Sequence, residues 1–287
     1  MLYHIQKHEY IKIKMNNVIA LIATTPRLPL LLGNAFPSIV NQTVPPAAVV
    51  LVSDSHALNA DEVALLQATL KDIPLYTMTN SRKLGAAGSW NTGIQFISEH
   101  FPKSYIAIID DDDEWHEDHL SSCVSNSNKG TADVVLSGIN ILINRETVVT
   151  NIPKDISMKD FLIGNPGWQG SNTFVKSAFA TKVGGFTDGL ISGNDRDFAI
   201  RALESGTAKI CYTNGVTVNW ICNQSPDALS APGSKQKLRG CAQFLQLHGS
   251  KMSAGEMDTY FLRASELFFL SKKEILNELT QLGGWNE

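Results

Sequence analysis

The sequence predicts an α/β fold in which a Rossmann-like, largely parallel sheet is covered by helices on both faces. Continuous apolar runs, which are typical of strands buried on both faces, recur through the first part of the chain. Segments whose apolar residues have helical spacing lie between these runs, and this alternation favours parallel strand order. The chain has 287 residues, 43% of them hydrophobic, so it can bury a substantial core.

Strands and helices alternate in the predicted order up to the acidic run that starts at residue 110. The strands are expected at 18–23, 48–52, 75–79 and 105–109. The helices between them are expected at 28–40, 58–70 and 85–97. Further strands at 132–138, 139–143 and 173–175, with helices at 177–183 and from 194 onward, indicate a mixed sheet. Helical periodicity returns at 236–248 and 256–282, which predicts a C-terminal helical extension.

Polar side chains stand where the predicted parallel strands end. They are Thr24, Asp54, Asn80 and Asp110. Because ligands of open α/β sheets bind at the carboxyl ends of the strands, we expect these side chains to line one crevice.

Four consecutive aspartates, Asp110 to Asp113, follow the apolar run at 105–109. Carboxylates this close repel one another, and keeping several ionised at a buried strand end is unfavourable without a counter-ion. Mg²⁺ or Mn²⁺ fits best, since both take oxygen ligands and keep positions open for substrate phosphates. A solvated acidic turn is the alternative.

Composition excludes several classes of protein. The formal net charge of −4 leaves no electrostatic footprint for nucleic acid. The four cysteines contain no CxxC pair, which disfavours a zinc ribbon or a secreted disulfide scaffold and favours a reducing cytoplasm. Residues 1–16 are interrupted by charges and lack the apolar core of a signal peptide. No apolar run approaches the roughly 18 residues of a membrane span.

Several motifs together resemble the family-2 glycosyltransferases of the GT-A fold, from about residue 17 to about residue 223. In chain order they are Thr24-Thr25-Pro26-Arg27, the helix end at 38–43, Val52-Ser53-Asp54-Ser55, Asn80 with 84–93, Asp110–Asp113, Gly184-Gly185-Phe186 and Asn194-Asp195-Arg196-Asp197. The resemblance implies inverting transfer of a sugar from a nucleoside diphosphate donor.

The resemblance also implies roles for individual residues. Asp54 would accept a hydrogen bond from the base, uracil by family habit, and Asp112 would be the direct metal ligand. The other donor-side residues would be Thr24, Pro26, Arg27, Asn80, Gly85, Asn91 and Asp111, with Asp110 at the ribose and the metal. Asp195 matches the general base that deprotonates the acceptor hydroxyl. A helix-capping role is the alternative for this carboxylate.

The chain departs from the family pattern at two points. Asn194 stands where a Glu is usual, and no His occurs within 218–224 to complete the metal site. His248 is the nearest downstream candidate, against an ordinary surface histidine. His116 and His119 are expected on a solvated helix face rather than at a zinc site, because no Cys or third His has suitable spacing.

The acceptor cannot be identified from the sequence. Trp168 and Gln169 are the predicted acceptor contacts, although Trp90 and Trp115 are alternatives and all of these residues could be core. The stretch 225–239 has the composition of a mobile loop, so Lys235, Lys237 and Arg239 are expected on a lid over the diphosphate or on a plain linker. The C-terminal aromatic residues are expected to form core or homo-oligomer contacts.

The predicted organisation is an N-terminal extension at 1–16, a GT-A domain at 17–224, and a flexible loop with C-terminal helices at 225–287. Two other functions compete with glycosyl transfer. A sugar nucleotidyltransferase would carry glycines in a phosphate loop after its first strand, and Thr24-Thr25-Pro26-Arg27-Leu28 has none. A catalytically silent nucleotide-sugar-binding module would agree with Asn194 and the missing His, but not with intact Asp110, Asp112 and Asp195.

Overall fold

The computed structural model describes residues 17–222 and 232–284. Within these residues, nine strands form one sheet with the order β3-β2-β1-β4-β8-β6-β9-β5, and β7 pairs with β6. The strands are β1 (Val18–Thr24), β2 (Ala48–Ser53), β3 (Leu75–Thr79), β4 (Tyr105–Ile108), β5 (Glu114–Trp115), β6 (Val134–Ile143), β7 (Glu146–Asn151), β8 (Thr173–Lys176) and β9 (Ile210–Ile221).

The sheet has a parallel half and a mixed half. β1 pairs in parallel with both β2 and β4, and β2 pairs in parallel with β3. β8 runs antiparallel to both β4 and β6, while β6 and β9 are parallel and β5 is antiparallel to β9. The predicted mixed sheet is confirmed. The two strands predicted at 132–143 are one long strand, β6.

Helices cover the sheet in the order α1 (Leu28–Leu30), α2 (Phe36–Val40), α3 (Ala60–Leu70), α4 (Ala86–His100), α5 (His119–Ser125), α6 (Met158–Ile163), α7 (Ser177–Lys182), α8 (Asn194–Glu204), α9 (Lys235–His248), α10 (Ala254–Phe268) and α11 (Lys272–Gln281). A π-helical turn, Leu31–Ala35, joins α1 to α2. The single helix predicted at 256–282 is two helices. Phe269 adopts a left-handed conformation with φ 55°, and Ser271 and Glu274 then form a capping box that starts α11.

Two buried apolar clusters account for the fold. Successive residues of β1 belong to different clusters: Ile19 and Leu21 to one, and Val18, Ala20 and Ile22 to the other. This alternation is expected for a strand buried on both faces. The first cluster also contains Phe244, Phe261 and Ile275 of the last three helices. These helices are therefore packed on the same core as the sheet.

The loop predicted at 225–239 is only partly a loop. Residues 223–231 lie outside the described part of the chain. Lys235 and Arg239, by contrast, are in the first turns of α9, which Ser234 caps by accepting a hydrogen bond from the Lys237 amide. The expectation of a mobile segment is thus wrong for these basic residues. In the described ranges 17–222 and 232–284, no helix combines the length and apolarity needed to cross a membrane.

Candidate active site

A pocket of about 1080 Å³ lies where the strand ends of the parallel half meet helices α8, α9 and α10. Most of the residues that the sequence predicted for a site line it. They are Thr24, Arg27, Asp54, Gly85, Asp110, Asp111, Asp112, Gln169, Asp195 and Lys237. The expected crevice at the carboxyl ends of β1, β2 and β4 is therefore present. Pro26, Asn80, Asn91, Trp168, Lys235 and Arg239 are not among the lining residues.

Two aspartates of the acidic run point into the protein. Asp111 accepts hydrogen bonds from the hydroxyl of Thr24 at 2.5 Å and from Nε of Arg27 at 3.0 Å. Asp113 accepts from the hydroxyl of Ser171 at 2.5 Å and from the backbone amide of Ile221 at 2.9 Å. Burial raises the pKa of both carboxyls, that of Asp113 to about 8, and nearby Asp112 adds to the rise in each. These two side chains hold the turn in place.

The other two aspartates, Asp110 and Asp112, face the pocket. Burial, followed by repulsion from Asp113, Asp112 and Asp195, raises the pKa of Asp110 well above its usual range. No side chain in the described ranges donates a hydrogen bond to the Asp110 carboxylate. Asp112 lies 3.5 Å from the Arg27 guanidinium.

This donor set fits a hard divalent cation in one particular way. No three His, Cys, Asp or Glu side chains of the described residues are arranged to enclose a metal ion. Mg²⁺ and Mn²⁺ do not require such a cage, because they bind through one or two carboxylates together with substrate phosphates and water. Asp110 and Asp112 can supply those two carboxylates. Mg²⁺ or Mn²⁺ is therefore compatible with this site when a diphosphate brings the remaining ligands.

Asp54 at the end of β2 is held by a network of donors. Its carboxylate accepts hydrogen bonds from the Asn80 amide at 2.7 Å, the Gly85 backbone amide at 2.9 Å and the Ser89 hydroxyl at 2.9 Å. Gly85 has φ 115°, a conformation that side chains rarely adopt, and this turn aims its amide at Asp54. Asn80 therefore acts by orienting Asp54 rather than by lining the pocket.

Asn91 has a structural environment as well. Its amide donates to the carbonyl of Phe186 at 2.8 Å and to Asp188 at 2.7 Å, and its carbonyl accepts from the Phe186 amide at 2.8 Å. A Cβ at Gly185 would approach the Asn91 Oδ1 to 2.2 Å, so this close contact requires glycine. In this arrangement the Asn91 side chain ties α4 to the Gly-Gly-Phe turn and does not line the pocket.

Asp195 lies in the first turn of α8, as predicted, after Gly193 in a left-handed conformation with φ 83°. Its carboxylate lines the pocket and receives no hydrogen bond from any side chain in the described ranges. Burial raises its pKa to about 7, while its own backbone amide and the ammonium of Lys237 act in the opposite direction. A carboxylate poised near neutral pH and open to the pocket is suited to accept a proton.

Asp197, two positions later, points away from the pocket. Its carboxylate accepts hydrogen bonds from Arg201 at 2.7 Å, from His248 at 2.9 Å and from Thr187 at 2.8 Å. Although burial acts to raise its pKa, the bonds from His248 and Arg201 lower it to about 2. His248 is 2% exposed, so it is neither a surface histidine nor available to a metal at the acidic run. Arg201 forms an ion pair with Asp197 from four positions later in the same helix.

Two further sequence expectations need correction. Trp168 is 1% exposed and packs edge-on against Phe161 and Phe198, while its indole N–H donates to Thr173. A ring enclosed in this way cannot stack on an acceptor, and only Gln169 of the predicted acceptor pair lines the pocket. His119 is fully buried rather than solvated, with its ring hydrogen-bonded to Thr217, so that burial lowers its pKa to about 3.

The far wall of the pocket comes from the last helices and was not predicted. Lys237 and Phe244 of α9 and Tyr260, Arg263 and Phe268 of α10 line it. The predicted partners of Lys237 on the lid, Lys235 and Arg239, are exposed, and Arg239 lies 3.5 Å from Glu278 of α11. Helical periodicity signalled the two helices, but no local pattern showed that they close the pocket over Asp195.

Comparison with known proteins supports one family. The family model for glycosyl transferase family 2 matches residues 21–180. S. aureus TarS in complex with UDP-GlcNAc superposes with a TM-score of 0.55 at 13% identity, covering 94% of this chain and 93% of the other. The mannosyltransferase PcManGT from Pyrobaculum calidifontis, in complex with GDP-Man and Mn²⁺, superposes with a TM-score of 0.52 at 18% identity, covering 98% and 80%.

No curated protein matches the chain significantly. At these identities the structural neighbours show the fold alone, and they confirm the predicted GT-A architecture with its C-terminal helices. The family model covers more than half of the chain and includes the strand ends that carry Thr24, Asp54 and Asp110. This chain belongs to glycosyltransferase family 2.

Proposed function

We propose that this protein is a metal-dependent, inverting glycosyltransferase that moves a sugar from a UDP-linked donor to an acceptor hydroxyl, with Asp195 as the general base. The observation that carries the proposal is the placement of Asp195 in the same pocket as Asp110 and Asp112. One end of the pocket therefore offers carboxylates to a cation and a diphosphate. The Asp195 carboxylate receives no hydrogen bond from a side chain of the described residues.

The donor would lie along the strand ends. Asp54, oriented by Asn80 and Gly85, would accept a hydrogen bond from the base. Arg27 would flank the nucleoside, held in place by its two bonds to Asp111. Structural neighbours bound to UDP-GlcNAc and to GDP-Man with Mn²⁺ support a nucleotide-sugar donor on this fold.

Asp110 and Asp112 would hold the divalent cation. When bound, Mg²⁺ or Mn²⁺ supplies Lewis-acid stabilisation for the charge that develops on the diphosphate leaving group. Without a cation, the ionised carboxylates of the acidic run would repel that charge.

Asp195 would accept the proton of the acceptor hydroxyl as that oxygen attacks the anomeric carbon. A base with a pKa of about 7 is mostly ionised at slightly alkaline pH and still basic enough to take a proton in the transition state. Its pocket position keeps the carboxylate away from the partners that occupy Asp197. Inversion follows from direct attack on the face of the sugar opposite the diphosphate.

We also propose that the glycosyltransferase domain spans 17–224 and that the helices of 225–287 complete its pocket. Lys237, Tyr260 and Arg263 support this extension, since they line the same pocket as Asp195. The segment 1–16 is proposed to be an extension outside the domain.

A nucleotide panel tests the proposal directly. Melting temperatures would be measured with UDP, GDP, CDP and dTDP, each with and without Mn²⁺, because a ligand that binds the folded state raises stability in proportion to ln(1 + [L]/Kd). We expect the largest shift with UDP and Mn²⁺ together. Absence of a shift with every nucleotide would overturn the donor assignment. Binding of a UDP-sugar that never yields UDP, with water or with an acceptor, would instead indicate a silent binding module.

A further inference from the structure

Three cationic side chains lie on the helix side of the pocket, on the same side as Asp195. They are Arg196 of α8, Lys237 of α9 and Arg263 of α10, and all three line the pocket. In the described ranges, no acidic side chain lies within ion-pair distance of any of them, whereas the other pocket cation, Arg27, is paired with Asp111. Among the described residues, positive charge is therefore concentrated here without an ion-pair partner.

Two of the three side chains are held in place by groups that do not neutralise them. Arg196 donates to the carbonyls of Phe161 and Leu162 at 2.8 and 2.9 Å, in the last turn of α6, and lies 3.9 Å from the centre of the Phe244 ring. The ammonium of Lys237 lies 3.9 Å from the centre of the Phe268 ring. Aromatic faces attract cations, but they leave the net charge in place.

The cluster is electrostatically unfavourable when empty. Burial, and then repulsion from Arg196 and Arg263, lowers the pKa of Lys237, while Cys241 and Asp195 act in the opposite direction. Burial also lowers the pKa of Arg263, and its guanidinium donates no hydrogen bond to any of the described residues. Cations brought together in a partly buried pocket are stabilised by an anion that enters from outside.

The position of the cluster separates it from the donor diphosphate. The acidic run follows β4 on the strand-end side of the pocket, whereas Lys237 and Arg263 are on α9 and α10, which form its far wall. Asp195 is in the first turn of α8, next to Arg196, and so lies on the helix side of the pocket with the cations. A base must contact the acceptor hydroxyl, so the helix side is the side from which the acceptor approaches.

We infer that Lys237 and Arg263 bind an anionic group, a phosphate or a carboxylate, on the acceptor substrate. Arg196 supports them with its charge while its N–H groups remain bonded to α6. The inference rests on the proposed function, because it takes Asp195 as the base that marks the acceptor side. It narrows the acceptor from any hydroxyl compound to one with a negative charge near the reacting hydroxyl.

The first test measures binding of an anion while the donor end is filled. Saturation-transfer NMR would compare glucose 6-phosphate, glucuronate and glucose on the full chain saturated with UDP and Mn²⁺. We expect one of the two anions to bind and glucose to bind at least about tenfold more weakly, as is typical when a charged contact is lost. Equal binding of glucose, or no binding of either anion, would overturn the inference. The preferred anion distinguishes phosphate from carboxylate.

Variants then locate the binding. Lys237→Met and Arg263→Gln should each weaken anion binding by about tenfold or more, with UDP and Mn²⁺ affinity within about twofold of wild type. Lys235→Gln is the matched control, since Lys235 is on the same helix but exposed and outside the pocket lining. If Lys237→Met and Arg263→Gln weaken UDP binding by the same factor as anion binding, the cations serve the donor and the inference is wrong.

The outcomes separate this inference from the proposed function. UDP binding with an unchanged anion affinity in both variants would leave the glycosyltransferase assignment intact and remove the anion site. Anion binding that depends on Lys237 and Arg263 in a protein that binds no nucleotide would do the reverse. Melting curves of each variant show whether a loss of binding reflects unfolding, and Lys237→Arg should restore anion binding where only the charge is needed.

Discussion

The acidic turn after β4 and the start of α8 both place aspartates at the same pocket, but their charges are compensated to different degrees. In α8, Asp197 has Arg201, His248 and Thr187 as partners, and its pKa is lowered to about 2. In the turn, Asp111 has Arg27 and Thr24, yet burial still raises its pKa. In the helix, hydrogen bonds outweigh burial and stabilise the ionised form of Asp197. In the turn, burial outweighs the hydrogen bonds to Asp111, so its ionised form is disfavoured.

The difference follows from the number of carboxylates that share each site. Asp197 is a single carboxylate in its site, and its cationic partner, Arg201, is four positions later in the same helix. The turn has four carboxylates, and one guanidinium, that of Arg27, forms ion pairs with them among the described residues. The Asp110 carboxylate, which accepts no hydrogen bond from a described side chain, is the basis for the proposed cation. The Asp195 carboxylate, which likewise has no side-chain donor among the described residues, is the basis for the proposed proton acceptor.

The largest expected effect is a loss of stability when Asp197, the carboxylate with hydrogen-bonded cationic partners, is removed. Asp197→Ala should lower the free energy of unfolding by about 3–5 kcal/mol, because it leaves the half-buried Arg201 and the buried His248 without the carboxylate that they share. Denaturant unfolding at neutral pH measures the change. Asp195→Ala, two positions away, is the control and should cost far less, since no partner is left behind. Similar losses for both variants would contradict the division between the two carboxylates.

Asp195→Asn should affect turnover instead of stability. Removing the proton acceptor should lower kcat by at least about 100-fold, while Asn keeps the shape of the side chain and leaves the donor site alone. Steady-state rates with a saturating donor, together with calorimetry of UDP and Mn²⁺, separate the two effects. A kcat within about threefold of wild type would exclude general-base catalysis by Asp195. Loss of UDP binding would assign this carboxylate to the donor site.

Asp112→Asn tests whether the acidic turn binds a divalent cation together with the nucleotide. We expect UDP affinity in the presence of Mn²⁺ to fall by about tenfold or more, and affinity without metal to stay the same or rise as one repulsive charge is removed. Calorimetric titrations with and without Mn²⁺ give both numbers. Asp61→Asn, in the first turn of α3 and outside the pocket lining, is the control. The same metal dependence in Asp112→Asn and wild type would show that Asp112 is not a ligand.

The sequence predicted the strand-end side of the site because that side is built locally. Asp54 and Asp110 follow predicted strands, so apolar periodicity places them at one edge of the sheet, whereas the role of Asp195 was implied by the family resemblance. Arg263 and Tyr260 are more than 60 positions from Asp195, and only the packing of α10 on the core brings them to it.

The burial of individual aromatic side chains was also not revealed by local sequence patterns. Trp168 and His119 occur in polar stretches that suggest solvent exposure. Trp168 is instead enclosed by residues distant in sequence such as Phe198, and His119 by residues such as Thr217. Tertiary contacts decide these environments. An indole or imidazole in a polar stretch is therefore a weak guide to a binding surface.

The smallest expected effect is on the pH dependence of stability and comes from His119. Burial disfavours its charged form too, but that form is a cation instead of a carboxylate. Burial, and then repulsion from His116, lowers its pKa to about 3, while the unfolded chain keeps the ordinary value of 6.5. Below that ordinary value the unfolded state gains a proton that the folded state does not take up. His119 therefore favours unfolding increasingly as pH falls from 6.5 towards 3.

Between about pH 7.5 and about pH 6, His119 should remove about 0.8 kcal/mol of stability, and His119→Gln should lack this loss. Asp195, with its raised pKa, titrates in the same range with the opposite sign, so the wild-type profile alone does not isolate His119. The difference in pH slope between wild type and variant does, whatever His119→Gln costs in absolute stability. His116→Gln, at a half-buried neighbour, provides the control slope. Parallel profiles for His119→Gln and wild type would mean that His119 takes up a proton in the folded state about as readily as in the unfolded state. Burial would then not hold the imidazole neutral, and the lowered pKa would be wrong.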